Sequence, residues 1–126
     1  MSERAINSYQ DLNVCRDGMA LAELCYRMTK DFPREGLFAM TSQIRRAAAS
    51  IPANIAEGHG RESTQSFVQY LRMSQGSLKE LETHLLLSER VGLLTQQQIK
   101  APMEQCASLG RRIRTLIRSL QQKTKR

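Results

Sequence analysis

The sequence contains no tryptophan, and its 126 residues include only three phenylalanines and three tyrosines. Proline is equally scarce, with three residues in the whole chain. Strands are rich in aromatic residues, so this shortage argues against an extended β-sheet. The residues that dominate instead are leucine, alanine, glutamine, glutamate, arginine and methionine, which are good helix formers. The composition therefore predicts an all-α protein, and the length suits one domain spanning residues 1–126.

Long apolar runs are also missing. The longest uncharged stretch, Ala47 to Ala56, is far shorter than the roughly 20 residues that a transmembrane helix needs. No apolar segment follows the charged N-terminal residues, so we expect no targeting or membrane-anchoring segment. Cys15, Cys25 and Cys106 are odd in number, lack metal-ligand spacing and fall at apolar positions, as reduced core cysteines do. We therefore expect a cytoplasmic protein that has no membrane partner.

Residues suited to catalysis or metal binding are few, and the only histidines are His59 and His84. Glu80, Glu82 and His84 lie close together, but di-iron bundles use Glu-x-x-His on two helices, a spacing this cluster lacks. No serine lies in a Gly-x-Ser-x-Gly elbow, and the glycine-rich segment 58–60 lacks the lysine of a P-loop. We therefore predict a protein that is not an enzyme, with no catalytic residue, metal, cofactor or small-molecule substrate.

Four segments with helical periodicity account for most of the chain. Their apolar residues recur three and four positions apart, which is typical of amphipathic helices. Breaks at 31–36, 58–60 and 91–92 separate them, and short connections favour antiparallel neighbours, so we predict an up-and-down antiparallel four-helix bundle. The apolar positions are Leu12, Cys15, Met19, Ala22 and Tyr26 with Val14, Gly18, Leu21, Cys25 and Met28 in the first segment, Leu37, Met40, Ile44, Ala48, Ile51 and Ile55 in the second, Phe67, Leu71, Ser74, Leu78, Leu81, Leu85 and Ser88 in the third, and Ile99, Met103, Cys106, Gly110, Ile113, Ile117 and Leu120 in the fourth.

Local signals place the ends of these helices. The first helix is predicted over about residues 11–30. Ser63 or Thr64 can cap the third helix, and Thr95 can cap the fourth, because their hydroxyls accept hydrogen bonds from free backbone N–H groups. Residues 121–126 form a short basic tail that we expect to fray.

A second apolar row on helix four bears on assembly. Leu109 and Leu116 exceed what the seam of a solitary bundle needs, so they favour self-association. The alternative is a thicker core within a monomer.

A polar stripe runs along helix two around Pro52. Proline removes one backbone donor and disfavours α geometry at the preceding residue, so we predict a kink in this helix. The stripe residues lie on one line of the helix. They could form a binding site, but we favour a structural seam or subunit interface, in which polar side chains satisfy backbone groups loosened by the proline. The stripe comprises Arg46, Ser50, Asn54, Glu57 and Arg61.

Positive charge is concentrated at the C-terminal end of the chain. The net charge is +7, yet residues 1–99 carry 11 lysines and arginines against 11 aspartates and glutamates. Residues 100–126 carry eight against Glu104 alone. Both flanks of helix four can therefore face a polyanion, although a stabilising or solubilising role near a helix C-terminus is the alternative. One flank carries Arg111, Arg114, Arg118 and Lys125, and the other carries Arg112, Lys123 and Arg126.

Five motifs carry a family resemblance: Phe32-Pro-Arg-Glu-Gly-Leu, Thr41-Ser-Gln-Ile-Arg-Arg-Ala-Ala, Ser50-Ile-Pro-Ala-Asn-Ile-Ala-Glu-Gly, Phe67-Val-Gln-Tyr-Leu and Gly76-Ser-Leu-Lys-Glu-Leu-Glu. In these motifs the chain resembles the bacterial four helix bundle proteins. They are also called rRNA intervening-sequence proteins, because some are encoded within large-subunit rRNA genes. The resemblance covers most of the chain. It implies a cytosolic bundle that forms a ring-like homopentamer, similar to the accessory protein of diversity-generating retroelements, which binds nucleic acid and a reverse transcriptase.

Two functions remain open at the level of the sequence. The first is a homo-oligomeric, non-catalytic accessory protein that binds RNA or DNA backbone through helix four. Summed charge on symmetric copies would support such binding, and the absence of aromatic residues from 100–126 argues against base stacking. The second is a protein-interaction scaffold whose basic face meets an acidic partner.

Overall fold

The computed structural model describes residues 2–34 and 38–124, with side chains from 13 to 34 and from 39 to 123. All secondary structure in these residues is helical, which confirms the predicted all-α fold. The four helices are α1 (Ser2–Met28), α2 (Phe38–His59), α3 (Thr64–Arg90) and α4 (Gln96–Thr124).

Each helix packs against two others, so the four form a closed square. Contacts join α1 to α2, α2 to α3, α3 to α4, and α4 back to α1. Helices α2 and α3 make the most extensive contact, and α1 and α4 make the least. Because consecutive helices are neighbours and the connections are short, the topology is the up-and-down bundle that the sequence predicts. None of the four helices is both long enough and apolar enough to cross a membrane.

Capping side chains determine where α3 and α4 begin. Ser63 adopts an extended backbone, and its hydroxyl accepts a 3.2 Å hydrogen bond from the N–H of Ser66. At the start of α4, the hydroxyl of Thr95 accepts from the N–H of Gln98, and the Gln98 side chain accepts from the N–H of Thr95. Such a reciprocal pair satisfies two backbone donors at once. Both predicted caps are confirmed, with Ser63 rather than Thr64 at α3.

One core holds the bundle together, and all four helices contribute to it. The least exposed large side chains are Leu21 from α1, Ile44, Ile51 and Ile55 from α2, Phe67, Leu71, Leu81 and Leu85 from α3, and Leu109 and Ile113 from α4.

Helix α2 continues through Pro52 without a break. Pro52 itself is buried. The structure also places Pro102 in the interior of α4, where it is buried, a position for which the sequence pattern gave no expectation. Both prolines thus contribute ring surface to the core, although each removes one backbone donor from its helix.

Three expectations from the sequence are wrong. Helix α1 begins at Ser2 instead of near residue 11. Its first stripe is not a buried face, because Met19 is 59% exposed and Tyr26 is 45% exposed. Helix α4 extends to Thr124, so residues 121–124 are helical instead of frayed, as glutamine and lysine are good helix formers.

The row formed by Leu109 and Leu116 does not reach the surface. Both leucines are buried in the core of the single chain. They therefore account for a thicker core and give no argument for self-association. The exposed large apolar side chains lie on α1, on α3 and just beyond the end of α3 instead.

Candidate nucleic-acid interface

Helix α4 has one buried face and one cationic face. Ile99, Cys106, Ile113, Ile117 and Leu120 are buried in the core. Pro102, Leu109 and Leu116 widen this buried face, and helical spacing leaves Arg111, Arg114 and Arg118 on the outward side of the helix. The spacing of the apolar residues along α4 thus determines on which side its arginines lie.

Three arginines on this outward face are available to a ligand. Arg111, Arg114 and Arg118 are all exposed. Their side chains make no ion pair or hydrogen bond with any residue in the described part of the chain. At 1.5 Å of rise per residue, they extend over about 10 Å along one side of the helix. We call these three residues the arginine row.

Arg112 differs from its neighbours because it has an ionic partner. Its guanidinium donates a 2.6 Å hydrogen bond to the carboxylate of Asp17 on α1. This pair links the least extensive of the four helix contacts. The carboxylate offsets the charge of Arg112, so the two flanks predicted from the sequence are not electrostatically equal.

The remaining predicted cations lie at the end of α4. Lys123 is exposed in the last turn of the helix. Lys125 and Arg126 lie outside the described residues.

Grooves on either side of α4 separate it from its two neighbours. Arg111 and Arg114 line the groove between α3 and α4. Arg112 lines the groove between α1 and α4. The groove toward α3 also includes Gln75 and Lys79, which no motif in the sequence indicates as part of the site. Sequence patterns within α4 could not reveal them, because the packing register of α3 against α4 brings them there.

The polar stripe of α2 makes hydrogen bonds within the bundle. The hydroxyl of Ser50 donates to the carbonyl oxygen of Ala47 at 2.8 Å and also lies 2.5 Å from the hydroxyl of Ser77. The side-chain amide of Asn54 donates to the carbonyl oxygen of Ser50 at 2.9 Å. These contacts lie in the turn that precedes and includes Pro52. The geometry supports the structural seam for Ser50 and Asn54.

The C-terminal part of the stripe forms an exposed cluster. Arg61 donates 2.8 Å hydrogen bonds to both the carboxylate of Glu57 and the hydroxyl of Tyr70, and its guanidinium lies over the Tyr70 ring. The bond to Glu57 is the main reason why the pKa of Arg61 is raised. Arg46, the first member of the stripe, is exposed. The cluster thus connects the end of α2 to α3.

Gly58 explains why the end of α2 can approach α3 so closely. A Cβ at this position would lie 2.6 Å from the Cβ of Tyr70 and 2.9 Å from a ring carbon of Phe67. Any side chain there would force the two helices apart.

Side chains that could carry metal or thiol chemistry do not form a site in the described residues. No group of three or more His, Cys, Asp or Glu residues is arranged to hold a metal ion there. Glu82 pairs with Lys79 at 3.3 Å, and the nearest His84 nitrogen lies 4.0 Å from Glu80. Burial raises the pKa values of Cys25 and Cys106 to about 12, so both thiols stay protonated at neutral pH.

These features define the molecule as a four-helix bundle whose last helix presents three arginines that have no ionic partner among the described residues. Residues 10–115 match the model of the 23S rRNA-intervening sequence protein family, and the chain belongs to that family. The match includes Arg111 and Arg114 and ends before Arg118.

A similar solved structure agrees with this assignment at the level of the fold. It is a protein of unknown function from the S23 ribosomal protein family of Bacteroides thetaiotaomicron VPI-5482. The two share 23% identity with a TM-score of 0.78, over 86% of this chain and 98% of that chain. No curated protein matches the chain.

Proposed function

We propose that this protein is a non-catalytic accessory factor that binds the backbone of RNA or DNA through the arginine row. The observation that carries the proposal is that Arg111, Arg114 and Arg118 are exposed on one side of α4 without an ionic partner in the described residues. The charge of an arginine without a carboxylate partner is not offset, and all five of its N–H donors are available to a ligand. Phosphate oxygens match that donor geometry.

Binding by this surface is expected to be insensitive to base sequence. Residues 100–126 contain no aromatic side chain on which a base could stack. Guanidinium contacts to phosphates fix position and affinity but carry no sequence information. The interaction should therefore depend strongly on salt, because each neutralised phosphate releases counterions.

We further propose that the protein acts as a homo-oligomer in the cytoplasm, with a ring-like pentamer as the expected form. Support comes from apolar side chains that one chain leaves exposed next to each other at the end of α3, Leu87 at 45% and Val91 at 57%. Monomeric soluble proteins seldom expose large apolar patches without a use for them. Symmetric copies would add their arginine rows into one larger positive field.

An adaptor function is the second candidate. Met73, Leu87 and Val91 are exposed, and helical spacing places them on the same side of α3 and its C-terminal end. A partner protein could cover that surface without any nucleic acid. The discriminating observation is a partner whose capture survives nuclease treatment.

The test of nucleic-acid binding is a comparison of two charge-matched triple variants. One replaces Arg111, Arg114 and Arg118 by glutamine. The control replaces Lys30, Arg90 and Lys100 by glutamine, three exposed cations at the opposite end of the bundle. Both variants lower the net charge by the same amount, so any difference between them reports position rather than total charge.

Fluorescence anisotropy with labelled RNA and DNA of arbitrary sequence provides the readout. We expect the arginine-row variant to lose most of its affinity at low salt and the control to retain most of it. Equal behaviour of the two variants would contradict the proposal. Intact labelled strands after incubation are expected if the protein is non-catalytic.

A further inference from the structure

The two grooves that flank α4 differ in charge. The groove between α3 and α4 has a volume of about 440 Å³. The groove between α1 and α4 has nearly the same volume, about 450 Å³. Similar size means that charge, and not available space, decides which groove an anion would enter.

The α3/α4 groove is predominantly positive. Lys79 contributes a cation from α3, and Arg111 and Arg114 contribute two from α4, against the single carboxylate of Glu82. Glu82 is mostly buried and pairs with Lys79 at 3.3 Å. Gln75 adds an uncharged side chain that can both donate and accept hydrogen bonds. The unpaired guanidinium groups thus define the charge that an incoming anion meets.

The α1/α4 groove is negative by comparison. Asp17 and Glu104 line it together with one cation, Arg112, and that cation is paired with Asp17. A phosphate approaching this side would meet more carboxylates than free cations. Repulsion between like charges therefore disfavours phosphate binding in the α1/α4 groove.

We propose, resting on the proposed function, that the α3/α4 groove seats one single strand of RNA or DNA, with its phosphodiester backbone along Lys79, Arg111 and Arg114 and on toward Arg118. The strand runs along a single line of cations. Phosphates along that line meet the unpaired guanidinium groups of α4, and the Lys79 ammonium, which is 79% exposed although it pairs with Glu82, lies on the α3 side. The neighbouring α1/α4 groove excludes the strand by its charge.

A single strand fits this arrangement better than a duplex. Duplex DNA presents two backbones, separated by roughly 6 Å across the minor groove and 12 Å across the major groove. Binding both backbones of a duplex would need a second row of cations beside the arginine row. The surface on the far side of α4 instead carries Asp17 and Glu104. One protomer therefore offers partners for one backbone only.

Gly110 forms part of the groove lining and supplies a direct test. A Cβ at this position would meet only a methyl group of Leu78, at 3.8 Å, which is an ordinary contact distance. Gly110 lies within α4, where glycine is a poor helix former. A larger side chain can therefore be introduced without clashing at Cβ, and it would project into the groove.

The experiment compares Gly110→Gln with Gly110→Ala, using labelled single-stranded RNA, single-stranded DNA and duplex DNA. We expect Gly110→Gln to weaken single-strand binding by about tenfold or more and Gly110→Ala to weaken it much less, because a methyl group fills far less of the groove than a glutamine side chain does. Both variants should melt at or above the wild-type temperature, because each replaces glycine within a helix. That result would exclude unfolding as the cause of weaker binding.

Two comparisons separate this inference from the proposed function. Lys79→Gln should weaken single-strand binding, whereas Lys100→Gln, at the far end of α4, should not. If the arginine-row variant fails to bind but Gly110→Gln and Lys79→Gln bind normally, the groove is wrong and the proposed function stands. If the arginine-row variant binds normally, both the groove assignment and the proposed function are wrong. Duplex binding as tight as single-strand binding, with the same sensitivity to Gly110→Gln, would overturn the single-strand assignment.

Discussion

The hydroxyl of Ser74 on α3 donates a 2.9 Å hydrogen bond to the carbonyl oxygen of Ile51, the residue that immediately precedes Pro52 in α2. Ser74 is fully buried, and so is Ile51. From α1, a Cβ placed on Gly18 would lie 3.5 Å from atoms of Ile51 and Pro52. The proline turn is thus held between a hydroxyl from α3 and a glycine from α1. This arrangement explains why a polar residue occupies a core position of α3.

Replacing Ser74 by alanine is expected to destabilise the protein by about 1–2 kcal/mol, because the buried hydrogen bond to Ile51 is lost. Thr83→Ala serves as the control, since the Thr83 hydroxyl is exposed and bonds only to its own helix at Lys79. We expect that control to change stability by less than about 0.5 kcal/mol. Urea unfolding followed by circular dichroism measures both. Equal stability losses would argue against a role for Ser74 in supporting the turn.

Two glycines should respond to alanine in opposite directions. Gly58→Ala is expected to lower stability, because the new Cβ would lie 2.6 Å from the Cβ of Tyr70. Gly76→Ala should raise stability by up to about 1 kcal/mol, since it lies within α3 and nothing lies within 4 Å of its Cβ position. Thermal unfolding of both variants checks this. A loss of stability or of native mass in Gly76→Ala would instead reveal a close contact made only in the assembled protein.

The buried thiols predict a loss of stability at alkaline pH. Burial raises the pKa values of Cys25 and Cys106 from 9.0 to about 12. Above pH 9 the unfolded chain releases these protons while the folded chain retains them. The unfolded state then binds fewer protons, so the free energy of unfolding falls as pH rises from 9 toward 12. The stabilisation that the protonated thiols provide is fully present below pH 9.

Each thiol should contribute a slope of about 1.4 kcal/mol per pH unit in that window. Denaturant unfolding under reducing conditions, at a series of pH values on wild type and the Cys25→Ala/Cys106→Ala variant, isolates this contribution. Other groups titrate in both proteins, so the difference in slope is the relevant quantity. Parallel pH profiles would show that the thiols do not cause the loss.

The Asp17–Arg112 pair predicts a change in nucleic-acid affinity with little change in stability. Asp17→Asn removes the carboxylate that offsets Arg112 and leaves a fourth free arginine on α4. We expect tighter binding to nucleic acid because the field around α4 becomes more positive, with little change in the salt slope because Arg112 lines the α1/α4 groove and not the groove that seats the strand. The pair is partly exposed, so its loss should cost less than about 1 kcal/mol. Weaker binding in Asp17→Asn would contradict the assignment of charge to the two grooves.

The sequence predicted the bundle well because its apolar period, its caps and its breaks all follow local rules. Ser63, Thr95 and the interruption at 91–92 mark helix ends through backbone chemistry that a few neighbouring residues determine. The wrong expectations concern which face packs against which helix. Met19 has the spacing of a core residue and is exposed, whereas Leu109 was expected to serve assembly and is buried.

Only the part of the candidate site that lies on α4 could be predicted from the sequence. The excess of arginine in helix four is a local property, and the structure brings Arg111 and Arg114 into one groove. Lys79 joins them from 32 positions earlier in the chain, and Asp17 pairs with Arg112 from 95 positions earlier. Both relationships depend on how α3 and α1 pack against α4. No pattern within one helix could have predicted them.

The most direct test of the central claim is the affinity for single-stranded nucleic acid across a salt series, with oligomeric mass measured on the same sample by light scattering. A mass near five times the 14.3 kDa of one chain is expected. Three arginine contacts per engaged protomer predict a slope of log affinity against log salt of about −2 for each protomer, hence a loss of roughly twentyfold between about 50 and 200 mM salt. Affinity that is unchanged over this range, or absent at the lowest salt, would contradict nucleic-acid binding and leave the adaptor function as the better account.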